Sequence, residues 1–132
     1  MARIVGRGCA EHREPLFEIP ELHQILEETW QALPQRFLGV TLDEFIIMPD
    51  HIHFILWLDS AREDPPTLGK VVGAYTSLTT VAWLRHIEAT GLLQYPGRFW
   101  QRNYYEHLIY ENEELEQTRQ YIRTNPGRTS PP

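Results

Sequence analysis

The run Met48-Pro49-Asp50-His51-Ile52-His53-Phe54-Ile55-Leu56-Trp57 decides the fold. Pro49-Asp50 is turn chemistry with β-formers on both sides. Val40, Leu42, Phe45, Ile46 and Ile47 make a strand over 40–48, and residues 51–58 make a second, antiparallel to the first as a hairpin. Side chains on a strand alternate faces. His51 and His53 therefore share one face, while Ile52, Phe54, Leu56 and Leu58 fill the other.

The segments around the hairpin complete a pattern. Residues 3–10 alternate weakly, carry Gly6 and Gly8, and read as a first strand. Pro20 opens a helix, a position that tolerates its missing N–H, and Leu22, Ile25, Leu26, Trp30 and Leu33 give it one apolar face. Asp59 to Pro66 is a polar loop. A longer helix follows from about Thr67 to His86, with a stripe of Leu68, Val71, Val72, Tyr75, Leu78 and Ala82. Gly91 to Gly97 is a loop, and residues 99–109 read as an aromatic-rich strand. Asn112 can cap a last helix with Glu113 and Glu114 in its first turn, and Asn125-Pro126-Gly127 stops it. The order strand, helix, strand, strand, helix, strand, helix predicts an α+β fold. Its first six elements match a ferredoxin-like βαββαβ antiparallel sheet, and the C-terminal helix is an addition. Residues 1–127 form one domain and 128–132 a disordered tail.

Composition narrows the class. The chain has 132 residues, suited to one core, with 42% hydrophobic and 23% charged residues. There is no membrane-length apolar run and no signal peptide at the start, so a cytoplasmic bacterial or archaeal protein is expected. Cys9 is the single cysteine, which excludes an internal disulfide and a cysteine zinc cluster. A net charge of −6 argues against a simple nucleic-acid binder. The charge is uneven: residues 1–66 hold 5 Lys/Arg against 12 Asp/Glu, residues 67–132 hold 7 against 6. Lys70, Arg98, Arg102, Arg119, Arg123 and Arg128 supply a local basic track that can hold a few phosphates.

Two groups carry chemistry. The imidazoles of His51 and His53 can converge on one divalent ion, since neutral imidazole is a common ligand of such ions. The alternative is a pair of strand histidines partly covered by a helix and bonded to backbone. In the last helix, Gln117, Tyr121 and Asn125 recur every four residues and form a polar stripe beside the anchors Leu115 and Ile122. If that helix packs over the histidine face, Tyr121 nears the ion and Asn125 offers a third ligand. Otherwise Tyr121 is a core tyrosine and Asn125 a C-terminal cap. A phenol beside a metal-polarised phosphate would attack a phosphodiester and keep the broken bond's energy as phosphotyrosine. Arg98-Phe99-Trp100-Gln101-Arg102-Asn103-Tyr104-Tyr105 interleaves guanidiniums with rings, a mix that suits single-stranded nucleic acid. Arg98, Trp100, Arg102, Tyr105 and Arg123 are the candidate contacts, although about half of these rings, and most of the four tryptophans Trp30, Trp57, Trp83 and Trp100, are expected in the core. His107 reads as a satisfied strand histidine, or as a phosphate contact.

The segments MPDHIHFIL, FWQRNYYEHLI and ELEQTRQYIRTNP, in this order and separation, resemble the single-tyrosine HUH transposases of the IS200-like group. The REP-associated tyrosine transposases look like the nearest branch. The resemblance covers about residues 37–127. It implies His51, His53 and Asn125 as ligands of Mg²⁺ or Mn²⁺, and Tyr121 as the nucleophile. It also implies cleavage of single-stranded DNA near a small hairpin, leaving a 5′-phosphotyrosine and a free 3′-hydroxyl. A monomer or a homodimer is compatible with it. Three departures stand out. Asp50 replaces a common asparagine, and Thr76 replaces an expected basic residue. The start MARIVGRGCAEH is polar where relatives carry an apolar central strand, so either this strand is degenerate or the start of the chain is altered. Two other functions compete: a domesticated copy that binds hairpins without cutting, and a phosphoesterase using activated water with Tyr121 structural.

Overall fold

The chain runs β1 (Arg3–Glu11), α1 (Pro20–Arg36), β2 (Val40–Ile47), β3 (His51–Asp59), α2 (Leu68–Thr90), β4 (Tyr105–Ile109) and α3 (Asn112–Thr124). This computed structural model describes residues 3–11, 19–48, 51–91, 100 and 105–124, with 3–11, 105 and 106 by backbone alone. The element order is the one read from the sequence. The loop over 92–97, Pro49-Asp50 and the tail 128–132 lie outside the described residues.

Four strands pair in the order β2-β3-β1-β4, each neighbour antiparallel to the next. The polar, glycine-bearing β1 nevertheless lies inside the sheet. It pairs with β3 along all its length, from Arg3 opposite Asp59 to Glu11 opposite His51, and with β4 from Val5 to Cys9. Backbone N–H and C=O groups make the ladder, so an unpromising set of side chains does not prevent it. Of the expected strand over 99–109, Tyr105–Ile109 is in the sheet and Trp100 lies in a bend.

Two apolar clusters cover the sheet. On one face, Leu22, Leu26, Trp30 and Leu33 of α1 meet Val71, Val72, Tyr75 and Trp83 of α2 over Ile52, Phe54, Leu56 and Leu58 of β3. The other face carries Ile46, Met48, Ile55 and Ile109, covered by Leu115 and Ile122 of α3. Burial of β3 from both sides makes it the centre of the fold. Leu56 is fully buried, so Leu56→Ala is expected to cost about 3 kcal/mol through lost transfer energy and a residual cavity. Urea denaturation of the two proteins measures that difference.

The stripe of α2 differs from the expected one. Leu78 and Ala82 are only half buried; Thr79, Trp83 and Ile87 take the inner line instead. Thr79 tolerates full burial because its hydroxyl donates to the Tyr75 carbonyl (2.8 Å) and accepts from Trp100 Nε1–H (3.0 Å). The helix also runs four residues past His86, to Thr90, before Gly91 (φ 72°) caps it in the left-handed region.

One irregularity shapes the site face. Between the pairs Leu42–Leu56 and Phe45–Phe54, β2 holds two residues, Asp43 and Glu44, where β3 holds Ile55 alone. This is a β-bulge. Beyond it, Phe45 returns to the α1 side and stacks on Trp30 with centroids 4.7 Å apart, while Ile46 faces α3.

Candidate active site

The histidine face of β3 is the face that α3 covers. His51 and His53 lie half buried on it with ring centroids 4.8 Å apart, nearly perpendicular. The Tyr121 ring meets His53 edge to face, with centroids 5.3 Å apart and an interplanar angle of 84°. The two imidazoles and the phenol thus form one continuous group of rings. The separation of the two imidazoles suits a single ion held about 2 Å from one nitrogen of each. Among the described residues no three His, Cys, Asp or Glu gather into a metal-binding set. The pair can offer two nitrogen donors. Asn125, the expected third, lies outside the described residues, one position past the end of α3.

Apolar and ionic contacts together orient α3. Leu115, Thr118 and Ile122 are its buried line. On one flank Glu114 pairs with His107 of β4 at 3.0 Å, which makes His107 a satisfied strand histidine. On the other flank the Arg119 guanidinium grips Asp43 of β2, with Nε donating to Oδ1 (3.1 Å) and Nη2 to Oδ2 (2.5 Å). The Trp57 indole N–H also donates to Asp43 Oδ2, at 2.7 Å. Arg123 pairs with Glu44 at 2.7 Å, closer to solvent.

Burial pushes the Asp43 carboxyl up, but the hydrogen bonds from Arg119 and Trp57 and the charges of Arg119 and Arg123 outweigh it and hold the group below its ordinary value. Arg119 is raised in turn, chiefly by its hydrogen bond to Asp43. The lowered carboxyl stabilises the fold above the unfolded Asp value of about 3.9, and that contribution is lost as pH falls through the lowered value. The stability gap between the native chain and Asp43→Asn is therefore expected to be full at neutral pH and to shrink below about pH 4. Denaturant titrations at a series of pH values check it.

Several expected nucleic-acid contacts change status. Trp100 is buried, 5% exposed, and its indole bonds to Thr79 beside Tyr75 in the core on the α1–α2 face. It is a packing residue and not a stacking surface for bases. Its apolar area and its hydrogen-bond partner Thr79 draw it inward, the core position that its residue type also allowed. Arg123 stands on the flank of α3 away from Tyr121, with its charge shared by Glu44. Arg119, counted in the basic track, is consumed by Asp43. The acidic first half and the basic second half of the chain are thus partly matched to each other. Arg98 and Arg102 lie outside the described residues, as does the side chain of Tyr105. Thr76, where a basic residue was expected, donates its hydroxyl to the Gly73 carbonyl within α2. Among the described residues no helix is long and apolar enough to cross a membrane.

Sequence reasoning missed Asp43, Glu44 and Trp57. Their signal was a pair of acids inside a β-former run, followed at α-helical spacing by Arg119 and Arg123. Without the bulge that pairing cannot be drawn.

The chain is similar to several known proteins. An uncharacterised protein of Haemophilus influenzae is 29% identical over 138 residues, covering 89% of this chain and 76% of that one. The structure of a REP-associated tyrosine transposase bound to a REP hairpin superposes with a TM-score of 0.67 at 17% identity, covering 93% of this chain. This chain spans 66% of the length of that transposase. A candidate transposase from Deinococcus radiodurans gives a TM-score of 0.65 at 15% identity, covering 96% of this chain and 93% of that one. These likenesses establish a shared fold. The sequence itself matches the family described as transposase IS200-like over residues 8–125, from within β1 to the residue after α3, and the chain belongs to that family.

Proposed function

We propose that this chain is a metal-dependent transposase that nicks single-stranded DNA beside a hairpin through a 5′-phosphotyrosine intermediate. The observation that carries the reading is the contact between the Tyr121 and His53 rings, with His51 next in line. Family membership supports strand transfer as the reaction. The element and sheet orders support a ferredoxin-like βαββαβ core to which the tyrosine helix is added.

His51, His53 and Asn125 would hold Mg²⁺ or Mn²⁺. Two nitrogen donors suit a transition ion better than Mg²⁺, so Mn²⁺ is the better test ion. A metal held by these residues would supply Lewis-acid polarisation of the scissile phosphate and offset the charge that builds on it. The phenol contributes the nucleophile. A free phenol loses its proton only at about pH 10, so the Tyr121 proton passes to solvent water as the oxygen attacks. The Tyr121 oxygen bonds to phosphorus, the bond from phosphorus to the 3′-oxygen breaks, and that oxygen leaves as a hydroxyl after taking a proton from solvent water. Reversal by a different 3′-hydroxyl rejoins the strand. Arg98, Arg102, Tyr105 and Arg123 remain the proposed contacts to DNA, with Arg123 exchanging Glu44 for a phosphate.

The test is incubation with labelled single-stranded hairpin DNA and Mn²⁺. An SDS-resistant protein–DNA complex that a chelator abolishes is expected. Hairpin binding without such a complex would identify a non-cutting binder. Cleavage without a covalent complex would point to hydrolysis by activated water.

A further inference from the structure

The buried line of α3 has two large apolar anchors, Leu115 and Ile122, seven residues apart, with the small polar Thr118 between them. Such a line fixes the helix on the sheet but resists rolling poorly. At about 100° per residue, Arg119 and Arg123 fall nearly in register on one flank of that line, and Tyr121 falls on the other. A contact that holds the arginine flank down therefore sets how far the tyrosine flank reaches toward β3. A roll of about 30° moves a side-chain tip, roughly 6 Å from the axis, by about 3 Å.

The bulge in β2 supplies that contact. In a regular strand Asp43 and Glu44 would point to opposite faces. Two residues stand opposite one here, and both carboxylates reach α3. The two contacts are unequal. The Glu44 partner, Arg123, is 56% exposed, and such a pair holds geometry weakly. Asp43 is 9% exposed, takes both arms of Arg119 and accepts a third bond from Trp57 of β3. Arg119 also reaches the exposed Glu116 on its own helix. Trp57 lies on the same face of β3 as His53, four residues on, so one carboxylate ties together the strand of the histidines and the helix of the phenol.

We propose that Asp43 and Arg119 are positioning residues for Tyr121: their paired carboxylate and guanidinium lock α3 at the rotation that lays the phenol against His53. The inference rests on the reading of Tyr121 as nucleophile. Neither residue touches the reacting atoms.

The experiment uses the full chain, a saturating single-stranded hairpin and Mn²⁺, and follows the first-order rate of covalent-complex formation. Asp43→Asn and Arg119→Lys are each expected to slow that rate about 10- to 100-fold, since a misplacement near 1 Å is enough, while hairpin Kd changes less than about 3-fold. The double variant is expected to be no slower than the slower single, because each residue acts through the other. Amide exchange within α3 is expected to quicken in Asp43→Asn while that of β3 stays unchanged. If Asp43→Asn does not fold, Arg119→Lys carries the test. Native rates in the folded variants, or single losses that multiply in the double, would overturn the clamp while leaving Tyr121 as nucleophile. A native chain that forms no covalent complex would overturn the nucleophile reading, and this inference with it.

Discussion

Tyr121→Phe is expected to reduce covalent-complex formation by at least about 1,000-fold, because no other step in the reaction replaces a missing nucleophile. The substitution removes one oxygen and keeps the ring. The edge-to-face packing on His53 and the anchors Leu115 and Ile122 are retained, so a stability change within about 1 kcal/mol is expected. Hairpin affinity should stay within about 2-fold, because the phosphate contacts that dominate affinity are untouched. Gel-shift titration and denaturing electrophoresis on the same samples separate these quantities. Strand cleavage that persists in Tyr121→Phe would instead assign the chemistry to water.

His53→Ala should rank next, with a loss of about 100-fold or more in the rate and a matching loss in Mn²⁺ affinity. It exceeds the roughly 10- to 100-fold typical of groups that only support a ligand. His53 meets the His51 ring at 4.8 Å and the Tyr121 ring at 5.3 Å between centroids. Truncating it removes a donor and also the surface on which the phenol rests. His51→Ala removes a donor and leaves the contact between the His53 and Tyr121 rings in place, so its rate should recover more fully at high Mn²⁺ than that of His53→Ala. Calorimetric Mn²⁺ titration of both variants, with rates measured across Mn²⁺ concentration, distinguishes a ligand from a ligand that also positions the nucleophile.

The reach of sequence reasoning follows from which interactions are local. Alternation along β3 needs no knowledge of partners, so the assignment of His51 and His53 to one face and Ile52, Phe54, Leu56 and Leu58 to the other was legible. The helical spacing of Leu115 and Ile122 likewise marked the anchoring side of α3, while the place of Tyr121 depended on where the helix packs. β1 was harder, since its side chains give little pattern and its ladder is made by backbone paired with residues about fifty positions on. The contact between Asp43 and Arg119 spans 76 residues and depends on a bulge that no local letter announces. Thr79 shows a different limit. Hydropathy favours Leu78 and Ala82, but the helix phase set by Trp83 and Ile87 buries Thr79, whose hydroxyl is satisfied there by Tyr75 and Trp100.

The most direct measurement is diffraction from crystals soaked in Mn²⁺, with data collected to reveal the anomalous signal of manganese. The account predicts a peak within bonding distance of a nitrogen of both His51 and His53, on the side that Tyr121 faces, and weakened in His53→Ala. Manganese bound elsewhere, or no peak at the histidines at a concentration that supports cleavage, would contradict it.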